Sequence, residues 1–273
     1  MNVAAAAEYG ERHRQQVLIA MRDGEVVYER YAAGFDASTP HALYSGTKSF
    51  WGPLALEAQA DGLLALDEPV GATFPAWYGG AKARVRLRDL LALTSGIPFG
   101  GLGNGVPAYA KALAVELNAE PGETFAYGGI PLQVFGAVLA RKLEPSGETP
   151  HAYLARRLLA PAGVCVASWR TLRDGTQPLP TGASLSALQW ARYGRYVLAE
   201  PRFRACFAGT RANPRYGLGW WLHGAEADPD VVYASGANGQ GLYLSRERGT
   251  VVVRFGAGGS FAHATFLRRL SSS

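Results

Sequence analysis

The chain is predicted to adopt an α/β (α+β) fold, in which helices flank an antiparallel sheet formed by both chain ends and a mostly helical second lobe lies beside it. Apolar runs of strand type occur near both termini, helical periodicity fills the middle, and Gly- and Pro-rich loops separate these segments. With 273 residues, 48% of them hydrophobic, the chain suffices for a large core. We expect residues 1–62 and 201–273 to form the α/β subdomain and residues 63–200 the helical subdomain, with a functional site in the cleft between them.

The first elements follow from apolar spacing and turn residues. A short N-terminal helix precedes a hairpin with strands at 17–21 and 26–31 and a turn at 22–24. A helix is expected to start at Ser45 and to end at Asp61 and Gly62. Pro53 lies inside this helical pattern and predicts a bend or a local irregularity.

The remaining elements divide into a helical middle and a strand-rich end. Helices are predicted at 87–93, 108–117, 132–143, 152–159 and 186–198. Strands are predicted at 217–222, 231–234, 241–245 and 250–256, before a closing helix at 262–270.

Composition removes several classes of function. The net charge is +5, but the basic residues are scattered, so we expect no nucleic-acid partner. Cys165 and Cys206 form neither a disulfide framework nor a metal motif, and both are expected to be buried apolar residues. No apolar run reaches the ~18 residues of a membrane span and no signal peptide is seen, so we expect a cytoplasmic protein without a membrane partner.

Ser45 and Lys48 form the first motif with chemical meaning. A serine hydroxyl needs a nearby base to act as a nucleophile, and side chains at i and i+3 of a helix are neighbours. Burial and the positive end of the helix dipole both disfavour an ammonium group, so Lys48 is a candidate base near neutral pH. Taken alone, Lys48 has an alternative interpretation as a solvated lysine on a helix surface.

Two further segments supply candidate partners. Residues 121–129 form a tight turn that presents Tyr127 just before two glycines and a helix, which suits a proton shuttle. Residues 234–241 are small and lie at a strand edge, where a backbone N–H can complete an oxyanion hole with that of Ser45. The alternatives are a packing tyrosine and a glycine-rich hairpin.

Taken together, these motifs resemble the superfamily of serine β-lactamases, D-alanyl-D-alanine peptidases and related esterases. The Ser45-x-x-Lys48 pair, Tyr127 and the strand segment 234–236 occur in the family's order, and segments 24–34, 61–70, 90–98 and 216–221 are similar to other family segments. The nearest branches by resemblance are the class C-like esterases and the 6-aminohexanoate-dimer hydrolase-like proteins. The resemblance implies a β-lactamase/transpeptidase-like fold, acylation of Ser45, proton transfer through Lys48 and Tyr127, and hydrolysis by water.

The resemblance also assigns the rest of the site. The oxyanion hole would consist of the N–H groups of Ser45 and Ala237. Gly236, Asn238 and Trp221 are expected to contact the substrate. The trio needs no metal, so no cofactor is expected, and the partner would be a small-molecule ester or amide. The sequence predicts no particular oligomeric state.

Two departures from the family pattern bear on the substrate. Gly129 stands where the family often has an Asn, and Ala234 stands where a Lys or His is usual. Loss of a fixed cation disfavours a carboxylate-bearing substrate, and this favours a small neutral ester or amide. A β-lactamase or D-alanyl-D-alanine peptidase, and a non-catalytic binding protein of the same fold, remain as alternatives. The short chain also predicts an open cleft.

Overall fold

A five-stranded antiparallel sheet in the order β2-β1-β8-β7-β6 forms the centre of the fold. The computed structural model describes residues 1–222 and 228–272. The strands are β1 (Gln15–Arg22), β2 (Glu25–Tyr31), β3 (His41–Ala42), β4 (Ser168–Trp169), β5 (Ala183–Leu185), β6 (Val231–Gly236), β7 (Gln240–Ser245) and β8 (Thr250–Gly256). The helices are α1 (Val3–Glu11), α2 (Trp51–Ala60), α3 (Leu87–Leu91), α4 (Tyr109–Leu113), α5 (Ile130–Leu143), α6 (Pro150–Leu154), α7 (Ala187–Ala199) and α8 (His263–Ser271).

The predicted sheet built from both chain ends is confirmed. β1 pairs with β8 in a register that joins Val17 to Phe255. Alternate residues of β1 point to opposite faces, because side chains in a strand have a period of two. Val17 and Ile19 belong to the large core, whereas Leu18 belongs to a second core formed with α1 and α8.

Helix α7 covers the other face of the sheet. Trp190 of α7 stacks on Phe255 with ring centroids 5.5 Å apart. A Cβ at Gly194 would lie 2.8 Å from Leu244 and 2.9 Å from Val251, so glycine lets α7 approach β7 and β8 closely. The proposed division into subdomains at residues 62 and 200 stays a prediction; α7, which precedes residue 200, packs on the sheet.

The segment after Ser45 begins irregularly, but the irregular part ends before Pro53, where the sequence predicted a bend or a local irregularity. Residues Tyr44–Phe50 form a 3-10 helix that continues into α2. Pro53 lies in the first turn of α2, where a missing N–H costs little. The chain leaves α2 at Asp61, and Gly62 adopts a positive φ of 71°, as the stop signal predicted.

Three expectations were wrong in detail. Residues 217–222 form a glycine turn with isolated bridges instead of a strand, since Gly219 has a φ of +84° and a Cβ there would lie 2.4 Å from the carbonyl oxygen of Lys48. Helix α4 ends at Leu113 rather than at residue 117. Cys206 is buried as expected, but Cys165 is exposed.

A small second sheet in the order β3-β5-β4 was not predicted from the sequence. It joins β3, just before Ser45, to the region that precedes α7. Within residues 1–222 and 228–272, no helix is both long enough and apolar enough to cross a lipid bilayer.

Candidate active site

Ser45 and Lys48 lie together at the start of the 3-10 helix. Residues three apart are eclipsed in such a helix, so its geometry stacks the two side chains. The Nζ of Lys48 donates to the Oγ of Ser45 at 3.0 Å and to the carbonyl oxygen of Pro180 at 3.3 Å. Tyr44, the residue before Ser45, has a φ of +48°, which is uncommon for a residue with a side chain and is typical of strained functional sites.

Lys48 is almost completely buried, with 2% of its surface exposed. Burial lowers the pKa of Lys48 from 10.5 to about 7, because a low-dielectric surrounding penalises the ammonium form. Within the described part of the chain, no carboxylate forms an ion pair with its Nζ to offset this penalty. A substantial fraction of Lys48 is therefore neutral at physiological pH and able to accept a proton.

Tyr127 lies beside Lys48, with its ring centroid 4.9 Å from the Nζ. Trp221 stacks against the Tyr127 ring at 5.7 Å, and Tyr216 meets it edge-on at 6.2 Å. Burial raises the pKa of Tyr127, and a hydrogen bond with Ser45 lowers it in part. Tyr127 is therefore a neutral phenol at physiological pH, which suits it to donate a proton.

The end of β6 lies close to Ser45, and the predicted oxyanion donor, the N–H of Ala237, follows it directly. A Cβ at Gly236 would lie 2.1 Å from the carbonyl oxygen of Leu43, so only glycine lets β6 approach the segment before Ser45 this closely. Ala237 follows and lines the same cavity of about 180 Å³ as Ser45 and Lys48. Among the described residues, neither the Ser45 N–H nor the Ala237 N–H has a hydrogen-bond acceptor, so both are available to a ligand.

Asn238 lies at the edge of this cavity rather than inside it. Its side chain is exposed, and its Nδ2 donates to the hydroxyl of Tyr44 at 3.1 Å. Asn238 has a positive φ of 64°, a conformation that Asn tolerates better than most residues. The Tyr44–Asn238 bond links the two segments that carry the candidate oxyanion donors.

The structure shows what surrounds Gly129 and Ala234, the two positions that depart from the family pattern. A Cβ at Gly129 would lie 2.1 Å from the carbonyl oxygen of Gly101, so no side chain fits there. Ala234 is buried in the apolar core. The structure thus shows neither an amide nor a cation at these two positions.

Other parts of the cavity wall were missed by sequence reasoning. Tyr44 and Pro180 line the cavity, together with Gly101, Leu102, Gly103, Val106 and Thr181. No recognisable motif marks them in the sequence. Trp221 stacks on Tyr127, whereas the ring contacts of the fully buried Trp51 and Trp220 in the described structure are with other residues.

A larger cavity of about 260 Å³ lies beside His151 and Trp169 and contains none of the predicted site residues. Across residues 1–222 and 228–272, no three His, Cys, Asp or Glu side chains come together in a way that could hold a metal ion. The Ser45 cavity is the candidate active site because it contains the hydrogen-bonded pair of Ser45 and Lys48.

Comparison with known proteins gives the class. The family model described as Beta-lactamase matches residues 4–263, which is nearly the whole chain, and the chain belongs to this family of serine hydrolases. Its fold is the one that the sequence resemblance implied. A comparison with curated protein sequences gave no match.

Solved structures share this fold at low sequence identity. A putative 6-aminohexanoate-dimer hydrolase from Bacillus anthracis is 16% identical with a TM-score of 0.76, covering 97% of this chain and 79% of its own. EstCE1, a hydrolase with promiscuous acyltransferase activity, is 16% identical with a TM-score of 0.77, covering 99% and 97%. A D-stereospecific amidohydrolase from Streptomyces sp. is 16% identical with a TM-score of 0.73, covering 93% and 94%.

Proposed function

We propose that this protein hydrolyses small neutral esters or amides through an acyl-enzyme on Ser45. The observation that carries the proposal is the 3.0 Å contact between the Ser45 hydroxyl and the amine of Lys48. Since burial brings the pKa of Lys48 to about 7, this amine can serve as a base at neutral pH.

In the proposed reaction, neutral Lys48 takes the proton of Ser45 while the Oγ attacks the substrate carbonyl. The N–H groups of Ser45 and Ala237 stabilise the oxyanion. The phenol of Tyr127 protonates the leaving group and recovers a proton from the Lys48 ammonium beside it. A water molecule then attacks the acyl-enzyme, its proton passes to Lys48, and Ser45 is released with a proton from the same pair.

The cavity wall favours a neutral substrate. Leu102, Val106 and Pro180 offer apolar surface, and a volume of about 180 Å³ suits a short acyl group. Among the described residues that line this cavity, Lys48 is the only Lys, Arg, Asp or Glu. The proposed mechanism uses its neutral amine as a base. Two similar structures, an amidohydrolase and a hydrolase with promiscuous acyltransferase activity, are compatible with acyl-enzyme chemistry.

Three further residues complete the proposed site. Trp221 would form a wall beside the leaving group, because it stacks on Tyr127. Gly236 would act through the protein backbone, because it lets β6 approach Leu43 and so brings Ala237 close to Ser45. Asn238 would contact the substrate at the rim, where it is exposed.

The test is hydrolysis of p-nitrophenyl acetate and butyrate by the wild type and by Ser45→Ala, Lys48→Ala and Tyr127→Phe. We expect turnover by the wild type and a loss of about a hundredfold or more in each variant, because the three groups act as a unit. Lys111→Ala and Tyr78→Phe, at exposed positions, are matched controls that should retain activity.

Two results would redirect the proposal. If nitrocefin is hydrolysed with a much higher kcat/KM than the short esters, the protein is a β-lactamase or a related peptidase. If the wild type neither turns over esters nor reacts with a fluorophosphonate probe at Ser45, the cleft serves binding and the protein is not an enzyme.

A further inference from the structure

Lys48 has a hydrogen-bond partner that the sequence motifs do not contain, namely the carbonyl oxygen of Pro180 at 3.3 Å. We propose that the backbone of residues 178–180 orients the Lys48 amine toward Ser45, and that Gln133 is the positioning residue that holds this backbone in place. We call residues 178–180 the carbonyl segment. The inference rests on the proposed function of Lys48 as the base.

Each carbonyl of the segment accepts a hydrogen bond from a side chain. The indole Nε1 of Trp169 donates to Pro178 at 2.8 Å, and the indole Nε1 of Trp51 donates to Leu179 at 2.5 Å. Lys48 takes the third carbonyl, that of Pro180. These three consecutive residues belong to no helix or strand, so their carbonyls are bonded by side chains and not by the backbone of a regular element.

The segment has a single backbone N–H that needs a hydrogen-bond acceptor. Both prolines lack an N–H and have a fixed φ, which makes the segment stiff. The remaining N–H, that of Leu179, donates to the Oε1 of Gln133 at 2.9 Å. Gln133 therefore completes the hydrogen bonding of the segment and ties it to α5.

Gln133 is itself an unusual residue for its place. It is completely buried in a run of apolar residues of α5, and its Nε2 donates to the carbonyl of Pro107 at 2.6 Å. A buried amide is costly unless both its ends are bonded. Here both ends hold backbone next to the active-site cavity, since Val106 and Pro180 line it.

A carbonyl oxygen orients a neutral amine in a specific way. It can only accept hydrogen bonds, so the Lys48 amine must direct an N–H toward Pro180. The neutral amine still has its lone pair and a second N–H, and Ser45 lies 3.0 Å from the same Nζ, so the lone pair can accept the proton of Ser45 while the amine stays bonded to Pro180. The Asn of the family pattern has no room here, because a Cβ at Gly129 would clash with Gly101.

The surroundings of Lys48 make a pH profile a suitable readout. In the described structure the ring of Tyr127 lies beside the Nζ of Lys48, and the other polar groups that contact this Nζ are the hydroxyl of Ser45 and the carbonyl of Pro180. Loss of the Pro180 acceptor removes a hydrogen bond that favours the ammonium form. The pKa of Lys48 in the free enzyme should then fall further below its ordinary value.

The experiment compares Gln133→Met and Trp51→Phe with the wild type, using the pH dependence of kcat/KM for p-nitrophenyl butyrate. Gln133→Met keeps the volume and loses both hydrogen bonds, and Trp51→Phe loses the donor to Leu179. Trp190→Phe is the matched control, because Trp190 is also fully buried but its Nε1 has no hydrogen-bond partner in the described structure.

We expect kcat to fall by about tenfold to a hundredfold in the two test variants, with KM within about threefold, as for loss of a hydrogen bond to a catalytic group. The acid limb of kcat/KM should move to lower pH. The control should keep the wild-type limb and most of kcat.

An acid limb that stays in place or moves to higher pH in both test variants would overturn the inference, as would a control that behaves like them. Circular dichroism identifies a variant that does not fold, and Trp169→Phe, which loses the donor to Pro178, then takes its place. Wild-type turnover and labelling of Ser45 test the proposed function separately, so an active wild type with unperturbed variants refutes only the role of the carbonyl segment.

Discussion

The buried amine of Lys48 serves chemistry at the expense of stability. Its pKa falls from 10.5 in the unfolded chain to about 7 in the folded protein, so the unfolded chain binds the proton more tightly. The free energy of unfolding therefore rises with pH between about 7 and 10.5, and the full penalty of the buried charge is present below pH 7.

Replacement of Lys48 by Met should show this penalty directly. We expect Lys48→Met to unfold at a higher urea concentration than the wild type at pH 6, and the gain in stability to shrink by about 2–3 kcal/mol at pH 9. Lys111→Met, at an exposed lysine, should change little at either pH. A gain that is the same at both pH values would show that Lys48 titrates alike in the folded and unfolded chain.

Gly129 illustrates how sterics decide which family residue this chain can hold. Its φ of −105° is accessible to any residue, and Asn is a good residue at a helix N-cap. The obstacle is the carbonyl oxygen of Gly101, which lies 2.1 Å from the position of a Cβ.

Introduction of the family residue as Gly129→Asn should therefore harm the protein. We expect kcat/KM for p-nitrophenyl butyrate to fall at least about tenfold and stability to fall by about 1–3 kcal/mol, as for other overpacked sites. Gly122→Asn is the control, since no atom lies within 4 Å of its Cβ position and Asn tolerates a φ of +85°. Improved activity in Gly129→Asn would contradict the steric explanation.

At the scale of elements, the 3-10 turn Ala237–Gly239 between β6 and β7 is held from several sides. The guanidinium of Arg254 on β8 donates to the carbonyl of Gly239 at 2.6 Å, and the N–H of Gly258 donates to that of Asn238 at 3.2 Å. The side chain of Gln240 exchanges two hydrogen bonds with the backbone of Gly256. These contacts fix the N–H of Ala237 relative to the sheet.

Arg254 is the charged member of this group. It is fully buried, its guanidinium lies 3.7 Å over the ring of Phe261, and no carboxylate pairs with it in the described structure. Burial lowers the pKa of Arg254 to about 10, so the group is still charged at neutral pH. Its partners are backbone carbonyls, which indicates a role in positioning.

Arg254→Met should loosen the turn and misplace the oxyanion donor. We expect kcat for p-nitrophenyl butyrate to fall about tenfold with little change in KM, and binding of a boronic acid that mimics the tetrahedral intermediate to weaken by a similar factor. Arg254→Lys should retain more of both. Unchanged kcat in a variant that merely unfolds at lower temperature would show that Arg254 contributes only to stability.

The elements of the sheet were predictable because their signals are local. The apolar run at 17–21 and the turn at Asp23 and Gly24 specify the first hairpin within a few positions. Residues 217–222 show the opposite case, since their apolar and aromatic composition favours a strand while Gly217 and Gly219 turn the chain. Close packing against the nucleophile segment decided the outcome there.

In the candidate site too, contacts between residues close in the sequence were predictable and contacts between distant residues were not. Ser45 and Lys48 were predictable as neighbours because they are three residues apart in one helical turn. Pro180 was not, because it meets Lys48 across 132 residues of chain and contributes a carbonyl that every residue type possesses. The Pro180 carbonyl therefore left no signature in the sequence.

At the scale of the whole molecule, the two cysteines report on the intact fold. Cys165 is exposed, whereas Cys206 is completely buried in the large core beside α2. Burial raises the pKa of the Cys206 thiol, which keeps it in its unreactive form.

Thiol titration with DTNB should therefore count one reactive group per native chain and two per chain in denaturant. The Cys165→Ser variant should show none until it unfolds, so that the rate of its reaction follows opening of the core. Rapid reaction of two thiols in the native wild type would place Cys206 at the surface and contradict the packing of α2.

The pairing of β1 with β8 has a consequence for how the protein is made. The centre of the sheet joins positions more than 200 residues apart, as in the Val17–Phe255 pair. At ribosomal rates of about 5–20 residues per second, β1 must wait on the order of 10 to 50 seconds for its partner to be synthesised. During that interval an apolar strand edge has no partner from this chain, and it is where nascent copies would associate with one another or with a chaperone.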